Sequence, residues 1–242
     1  MRRSLITNPQ RIRHEFPECY ACDAPAISVE HAPPECFFPD TKDDKGVSTY
    51  KKNLITVPSC DLHNGEKSKD DLYAWFHLAA AIEANHCAEL VLPNLEKKME
   101  KDRSRGGKFS ALIQRQIMGV VPGGVIGALD PARMARVLAS CARAIYFYET
   151  FLKLKRHLRV ANLDHHFSDP STAQRLDEQR ASFEGEMAGC VFKGDNPEVF
   201  QYALCDKPDQ GIVIFEFRFY GALRRWVFYH PNQEFQQFNS AD

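Results

Sequence analysis

Four side chains that bind transition metals stand in two pairs near the N-terminus, Cys19-Tyr20-Ala21-Cys22 and Cys60-Asp61-Leu62-His63. Two residues separate the ligands within each pair, an interval that lets both members of a tight turn face one ion. Thiolate and imidazole both suit zinc, so Cys19, Cys22, Cys60 and His63 read as ligands of a structural Zn²⁺, with Cys36 as the alternative to His63. Glu30-His31 lies between the pairs, and Asn64 directly follows the second. A carboxylate and an amide oxygen are hard donors for Mg²⁺ or Mn²⁺, ions that keep waters and meet phosphate oxygens. A neutral imidazole beside them can take a proton from water near pH 7. Glu30 and Asn64 as holders of a catalytic divalent ion, with His31 as general base, would supply the functions that phosphodiester hydrolysis needs.

These residues need elements to hold them. Two short strands are expected near 27–31 and 53–57, and a helix beginning near 61. So small a unit buries little, and a structural zinc would contribute about 10–16 kcal/mol, as in finger peptides. Upstream, residues 1–18 read as an extended lead-in with Asn8-Pro9 and Phe16-Pro17 as turns. Downstream, Ser68-Lys69-Asp70-Asp71 opens an apolar helix that Pro93 should end, followed by a charged helix from Asn94 to Arg105. Gly106-Gly107 breaks that helix, Phe109–Met118 should form a third, and residues 119–129 read as a loop without phosphate-loop spacing.

Asp130-Pro131 is a strong helix start. The stripe Met134, Val137, Leu138, Cys141, Ile145, Tyr148, Leu152, Leu154 extends the expected helix to about Asn162. A polar helix over 171–186 follows, then strands at Gly189–Lys193, Val199–Cys205, Ile212–Tyr220 and Leu223–His230. Phe215, Phe217 and Phe219 alternate with Glu216, Arg218 and Tyr220, the pattern of a half-buried antiparallel strand. The fold class expected is α+β: a zinc-bound unit (1–71), a helical region (72–186) and a small antiparallel meander packed on the helices (187–242).

The chain has 242 residues, 44% of them hydrophobic and 26% charged, ordinary values for a globular protein. No apolar run is long enough for a membrane span, and no membrane partner is expected; a cytoplasmic protein with free thiols is the default reading of its eight cysteines. Net charge is −1, yet residues 97–159 carry fourteen Lys/Arg against four Asp/Glu. Such a basic middle suits a phosphate-binding face, and Lys153, Lys155, Arg156 and Arg159 are its candidate track, expected together on the long helix. Arg224-Arg225-Trp226 could stack on a base or protect an edge strand, and His165-His166 beside Asp164 could bind metal or face solvent.

Residues 19–71 resemble the HNH endonuclease family, the zinc-stapled branch of the ββα-metal nucleases. The resemblance rests on Cys19 and Cys22, Glu30-His31 with Pro33-Pro34 behind, Asn53 opening Asn-Leu-Ile-Thr-Val-Pro, and Cys60, His63-Asn64 and Lys67-Ser68. It implies His31 as general base, Glu30 and Asn64 at the catalytic metal, and Asn53 as a brace for the His31 loop. Lys67 would meet a phosphate. The family more often has Asp where Glu30 stands and Cys where His63 stands. The activity implied is metal-dependent cutting of DNA to 5′-phosphate and 3′-hydroxyl ends, in a bacterial defence or mobile-element setting. A protein partner or a second copy of the chain would be a further partner. The alternative is a zinc module that binds nucleic acid or a protein without turnover. No family is recognised for residues 72–242.

Overall fold

The computed structural model describes residues 9–65, 68–80, 86–107, 110–111, 114, 117–121, 124–127, 130–161, 163, 169–221 and 223–232. It mixes helix and sheet, and it divides into two compact units, Met1–Leu154 and Lys155–Asp242. His165-His166, Lys67 and the C-terminal 233–242 lie outside the described residues. No described helix is long and apolar enough to cross a membrane.

The first unit begins with a helix, α1 (Pro9–Glu15), where an extended lead-in was expected. Pro at a first helical position is pre-set for the turn. Ile12 on α1 is buried, and Arg13 donates to the Ile27 carbonyl at 3.0 Å. Strand β1 (Ser28–Ala32) pairs antiparallel with β2 (Ile55–Ser59) in the register Glu30↔Val57 and His31↔Thr56. A 3₁₀ turn over Glu35–Phe37 follows β1, and α2 (Asp61–Asn64) follows β2. Both strands and the short helix fall within two residues of their expected places.

Helix α3 (Ser68–Ala80) and α4 (His86–Ser104) come next, and Pro93 sits inside α4 rather than ending a helix. Its ring removes one backbone donor from α4; the charged residues from Glu96 onward continue the same helix until Gly106 and Gly107, both at positive φ. The helix expected over 109–118 and the loop expected over 119–129 are corrected in part. Ile117–Val121 and Gly124–Gly127 form an antiparallel hairpin, β3 and β4. Two β-branched runs flank Pro122-Gly123-Gly124, a hairpin signal in the sequence.

Helix α5 (Pro131–Thr150) is capped by the Asp130 side chain, which accepts from the Arg133 amide. Its buried stripe, including Met134, Val137, Leu138, Cys141 and Ile145, packs on α3, β1 and β2. The helix stops twelve residues short of Asn162. The Thr150 hydroxyl donates to the Tyr146 carbonyl and accepts from the Leu152 amide, and Phe151 turns left-handed at φ 60. Such a conformation is costly for a residue with a Cβ; stacking of the Phe151 ring on Phe16 at 5.4 Å helps offset it. Replacing Asp130 with Ala removes the cap, and a loss of about 1 kcal/mol in global stability by urea titration is expected.

The second unit is a five-stranded antiparallel sheet in the order β5-β9-β8-β7-β6, with β5 Arg159–Ala161, β6 Lys193–Asn196, β7 Phe200–Lys207, β8 Ile212–Phe219 and β9 Leu223–Tyr229. The antiparallel sheet expected at the C-terminus is present, with β5 as an added edge, but the strand expected over Gly189–Lys193 lies instead at Lys193–Asn196. Helix α6 (Pro170–Glu186), capped by Asp169, buries Phe183 against Trp226 and Phe228 on one face. Strand β8 is not half-buried: every residue but Arg218 is buried. Its one carboxylate, Glu216, is paired with Arg218 at 3.0 Å and Arg224 at 2.7 Å. Strand β9 lies between β5 and β8, so Arg224-Arg225-Trp226 is neither an edge nor a stacking platform; Trp226 is in the core.

Candidate metal centre

The two ligand pairs are brought together by strand pairing. Cys19 and Cys22 lie on a knuckle whose Tyr20 amide donates to the Pro58 carbonyl of β2 at 2.8 Å. The Cys19 amide closes the knuckle on the Ala24 carbonyl, and the Ala21 amide points at Cys19 Sγ. Cys60 is the last residue before α2 and His63 lies one turn into it. The four ligand atoms all lie within 4.8 Å of one another.

The edges of this tetrahedron can be compared with those an ion requires. Metal–sulfur and metal–nitrogen bonds of about 2.3 and 2.0–2.1 Å give edges of about 3.8 Å between sulfurs and about 3.6 Å between sulfur and nitrogen. Cys22 and Cys60 Sγ are 3.8 Å apart, and His63 Nδ1 is 3.6 Å from Cys19, 3.6 Å from Cys22 and 3.2 Å from Cys60. The donor set and spacing therefore fit a four-coordinate ion such as zinc. The thiols differ in readiness to deprotonate. Burial pushes Cys22 up to about 11, whereas at Cys60 burial is outweighed by hydrogen bonds from the His63 amide, the Cys19 and Cys22 thiols and the Leu62 amide, which hold the thiol below its ordinary value.

Lys153 braces this centre. Its ammonium donates to the Cys22 carbonyl at 2.9 Å and pairs with Glu18 and with Asp23 at 3.1 Å. Burial lowers its pKa, but these two carboxylates more than reverse that. The basic track expected on the long helix is corrected accordingly, because α5 ends before it. Arg156 donates to the Gly211 carbonyl and covers the Tyr229 ring, Arg159 lies in β5 opposite Phe228, and Lys155 is exposed. We expect Lys153→Ala to weaken metal binding by about tenfold in a chelator competition, the usual scale for groups that orient ligands.

Glu30 is buried in β1, and the structure places it on the same strand face as Ser28. Asn64 reaches that face: its Nδ2 donates to Ser28 Oγ at 2.9 Å and to the Val29 carbonyl at 3.0 Å. The carbonyl acceptor fixes which end of the amide points inward, so Oδ1 is left without a hydrogen bond among the described residues. His31 is the next residue of the same strand and starts from the opposite face. Asn53 precedes β2, exposed and left-handed at φ 47.

The side chain found at the His31 imidazole is Thr56, which the sequence reading did not single out. Its Oγ1 is 3.1 Å from His31 Nδ1 and 3.0 Å from the Leu54 carbonyl. A hydroxyl has one proton, and the carbonyl must receive it. Thr56 then accepts from Nδ1–H, which leaves the basic lone pair on Nε2. Burial lowers the His31 pKa, opposed by Glu35 and the Ile55 backbone, and so favours the neutral ring. Only the β1–β2 register brings Thr56 to His31, and register is not visible in a lone Thr among β-branched neighbours.

Among known proteins there is no match: no family model, no curated protein and no solved structure matches this chain. Its most specific chemical feature is the half-buried Cys19–Cys22–Cys60–His63 cluster, which could hold a metal ion.

Proposed function

We propose that this chain is a metal-dependent endonuclease of the HNH type that hydrolyses DNA phosphodiester bonds, with zinc in the four-ligand cluster. The observation that carries the reading is the attachment of α2 to β1. The cluster holds the start of α2, while Asn64 at its end is hydrogen-bonded to the strand that carries Glu30 and His31. In this reading Glu30 and Asn64 Oδ1 would hold a Mg²⁺ or Mn²⁺ ion, which when bound neutralises phosphate charge and steadies the leaving oxygen. His31 Nε2 takes the proton of the attacking water, and Thr56 keeps the ring in the tautomer that can do so. The new bond joins water oxygen to phosphorus, and the bond to the 3′-oxygen breaks.

The test is incubation of the purified protein with supercoiled plasmid and Mg²⁺ or Mn²⁺. Conversion to nicked and linear forms that stops in excess chelator is expected. Intact plasmid at every divalent concentration, from protein that still carries zinc, would remove the reading.

One observation favours a second reading, a zinc module that binds nucleic acid or a protein without turnover. Glu30 and His31 occupy consecutive positions of a regular strand and so leave it on opposite faces. Manganese titration followed by electron paramagnetic resonance separates the two readings: the binder takes up no Mn²⁺ beyond its zinc.

A further inference from the structure

Most described cations of the basic middle are consumed inside the protein. Arg133 and Arg136 pair with Asp70, Lys153 with Glu18 and Asp23, and Arg156 with the Gly211 carbonyl. Five on and just past α4 are not: the side chains of Lys97, Lys98, Lys101, Arg103 and Arg105 form no ion pair or hydrogen bond among the described residues, and Lys98 only covers the Trp75 ring at 4.8 Å.

Lys98, Lys101 and Arg105 converge. Together with Leu72 of α3, Leu95 and Asp102 they line an open groove of about 200 Å³ between α3 and α4. Asp102 is the one carboxylate there, and its Oδ2 already accepts the Ser110 amide at 2.7 Å. The groove therefore has an apolar floor and a rim of three cations against one engaged carboxylate. Concentrating like charge without partners costs self-repulsion, which an anionic ligand relieves.

Helix α3, which supplies one wall of the groove, touches the turn that leaves β1. Leu72 follows Asp71, whose carbonyl lies 3.9 Å from the Cys36 thiol, and Cys36 belongs to the 3₁₀ turn that leaves β1. All of these residues belong to the first unit.

We propose that this groove docks the phosphodiester backbone of the nucleic acid on which the β1–α2 site acts, an inference that rests on the nuclease reading above. Lys101 and Arg105 meet successive phosphates from the rim, Lys98 closes the inner side, and Leu72 and Leu95 face the sugars. Contacts of this kind position a substrate without reading its sequence.

The test is fluorescence anisotropy of a labelled duplex with the full chain in Ca²⁺, titrated at several salt concentrations. The double variant Lys101→Glu with Arg105→Glu changes two exposed side chains. Each phosphate contact contributes about 0.9 to the slope of log affinity against log salt, so the variant's slope should be shallower by about 2. Its affinity at 100 mM salt should fall by about tenfold or more. Arg175→Glu with Lys193→Glu, exposed positions of the second unit, makes the same change in net charge and should leave the slope unchanged. Melting curves of both variants confirm that they are folded, and Lys101→Gln with Arg105→Gln repeats the measurement without charge reversal. An unchanged slope and affinity in both groove variants overturns the groove while leaving the nuclease reading intact. Equal losses in the groove and control pairs also overturn it, since only net charge would then matter. Absence of duplex binding by the parent chain overturns both. Groove-dependent binding by a parent chain that never cuts plasmid supports the groove and removes the nuclease reading.

Discussion

Removing the ion from the Cys19–Cys22–Cys60–His63 cluster is expected to unfold the segment from Cys19 to Asn64 and to weaken the unit around it. Structural zinc contributes about 10–16 kcal/mol in small domains, comparable to or larger than the 5–15 kcal/mol total stability of an ordinary domain. The segment cannot replace that from its own core. Its two strands have five residues each, and its helix is one turn long. The effect should spread, because α5 packs on both β1 and β2. A chelator titration followed by circular dichroism should show loss of helix as well as strand signal, with zinc released at about one per chain. Cys60→Ala should reproduce it without chelator. His63→Cys should not, because a fourth thiolate satisfies the same ion. A chelated protein that melts at the temperature of the untreated one would show that the cluster holds nothing of structural weight.

His31→Ala is the second large effect. It should lower plasmid cleavage by about 10²–10⁴-fold, the usual contribution of a positioned general base. Zinc content and duplex binding should not change, since His31 is neither a cluster ligand nor a lining residue of the basic groove. Thr56→Val tests the tautomer argument separately: it keeps the shape of the side chain and removes the oxygen that accepts from Nδ1–H. Its loss should be smaller than that of His31→Ala, with metal dependence unaltered. Asn64→Ala and Glu30→Gln should instead raise the Mn²⁺ concentration needed for half-maximal cutting, because the first removes an oxygen donor and the second the negative charge that would hold the ion. Equal cutting by the parent chain and His31→Ala would take His31 out of the reaction.

The two experiments are independent. The cluster can be structural in a protein that cuts nothing, and chelation then unfolds it while plasmid stays intact. The spacing of donors at 3.2–3.8 Å speaks only to the cluster. The proposed cutting role depends on side chains around β1, two of which start from opposite faces of a strand.

Much of the metal centre was legible in the amino-acid order. Paired ligands two residues apart encode a tight turn, and turns are local, so Cys19, Cys22, Cys60 and His63 could be named before any fold was known. The strands on either side, the capped start of α5 at Asp130-Pro131 and the start of α6 near Pro170 are local for the same reason. Other features depend on residues far apart in the chain. The end of α5 at Thr150 is set partly by a hydroxyl that turns back on its own backbone and a ring, Phe151, stacked on Phe16. With the helix ended there, the four basic residues expected on it lie beyond its end, and Lys153 braces the Cys22 knuckle. Thr56 reaches His31 only because β1 and β2 pair in one register. Ligand spacing within a turn is fixed by covalent geometry, whereas which charge meets which carbonyl across some 130 residues is settled only when the chain has packed.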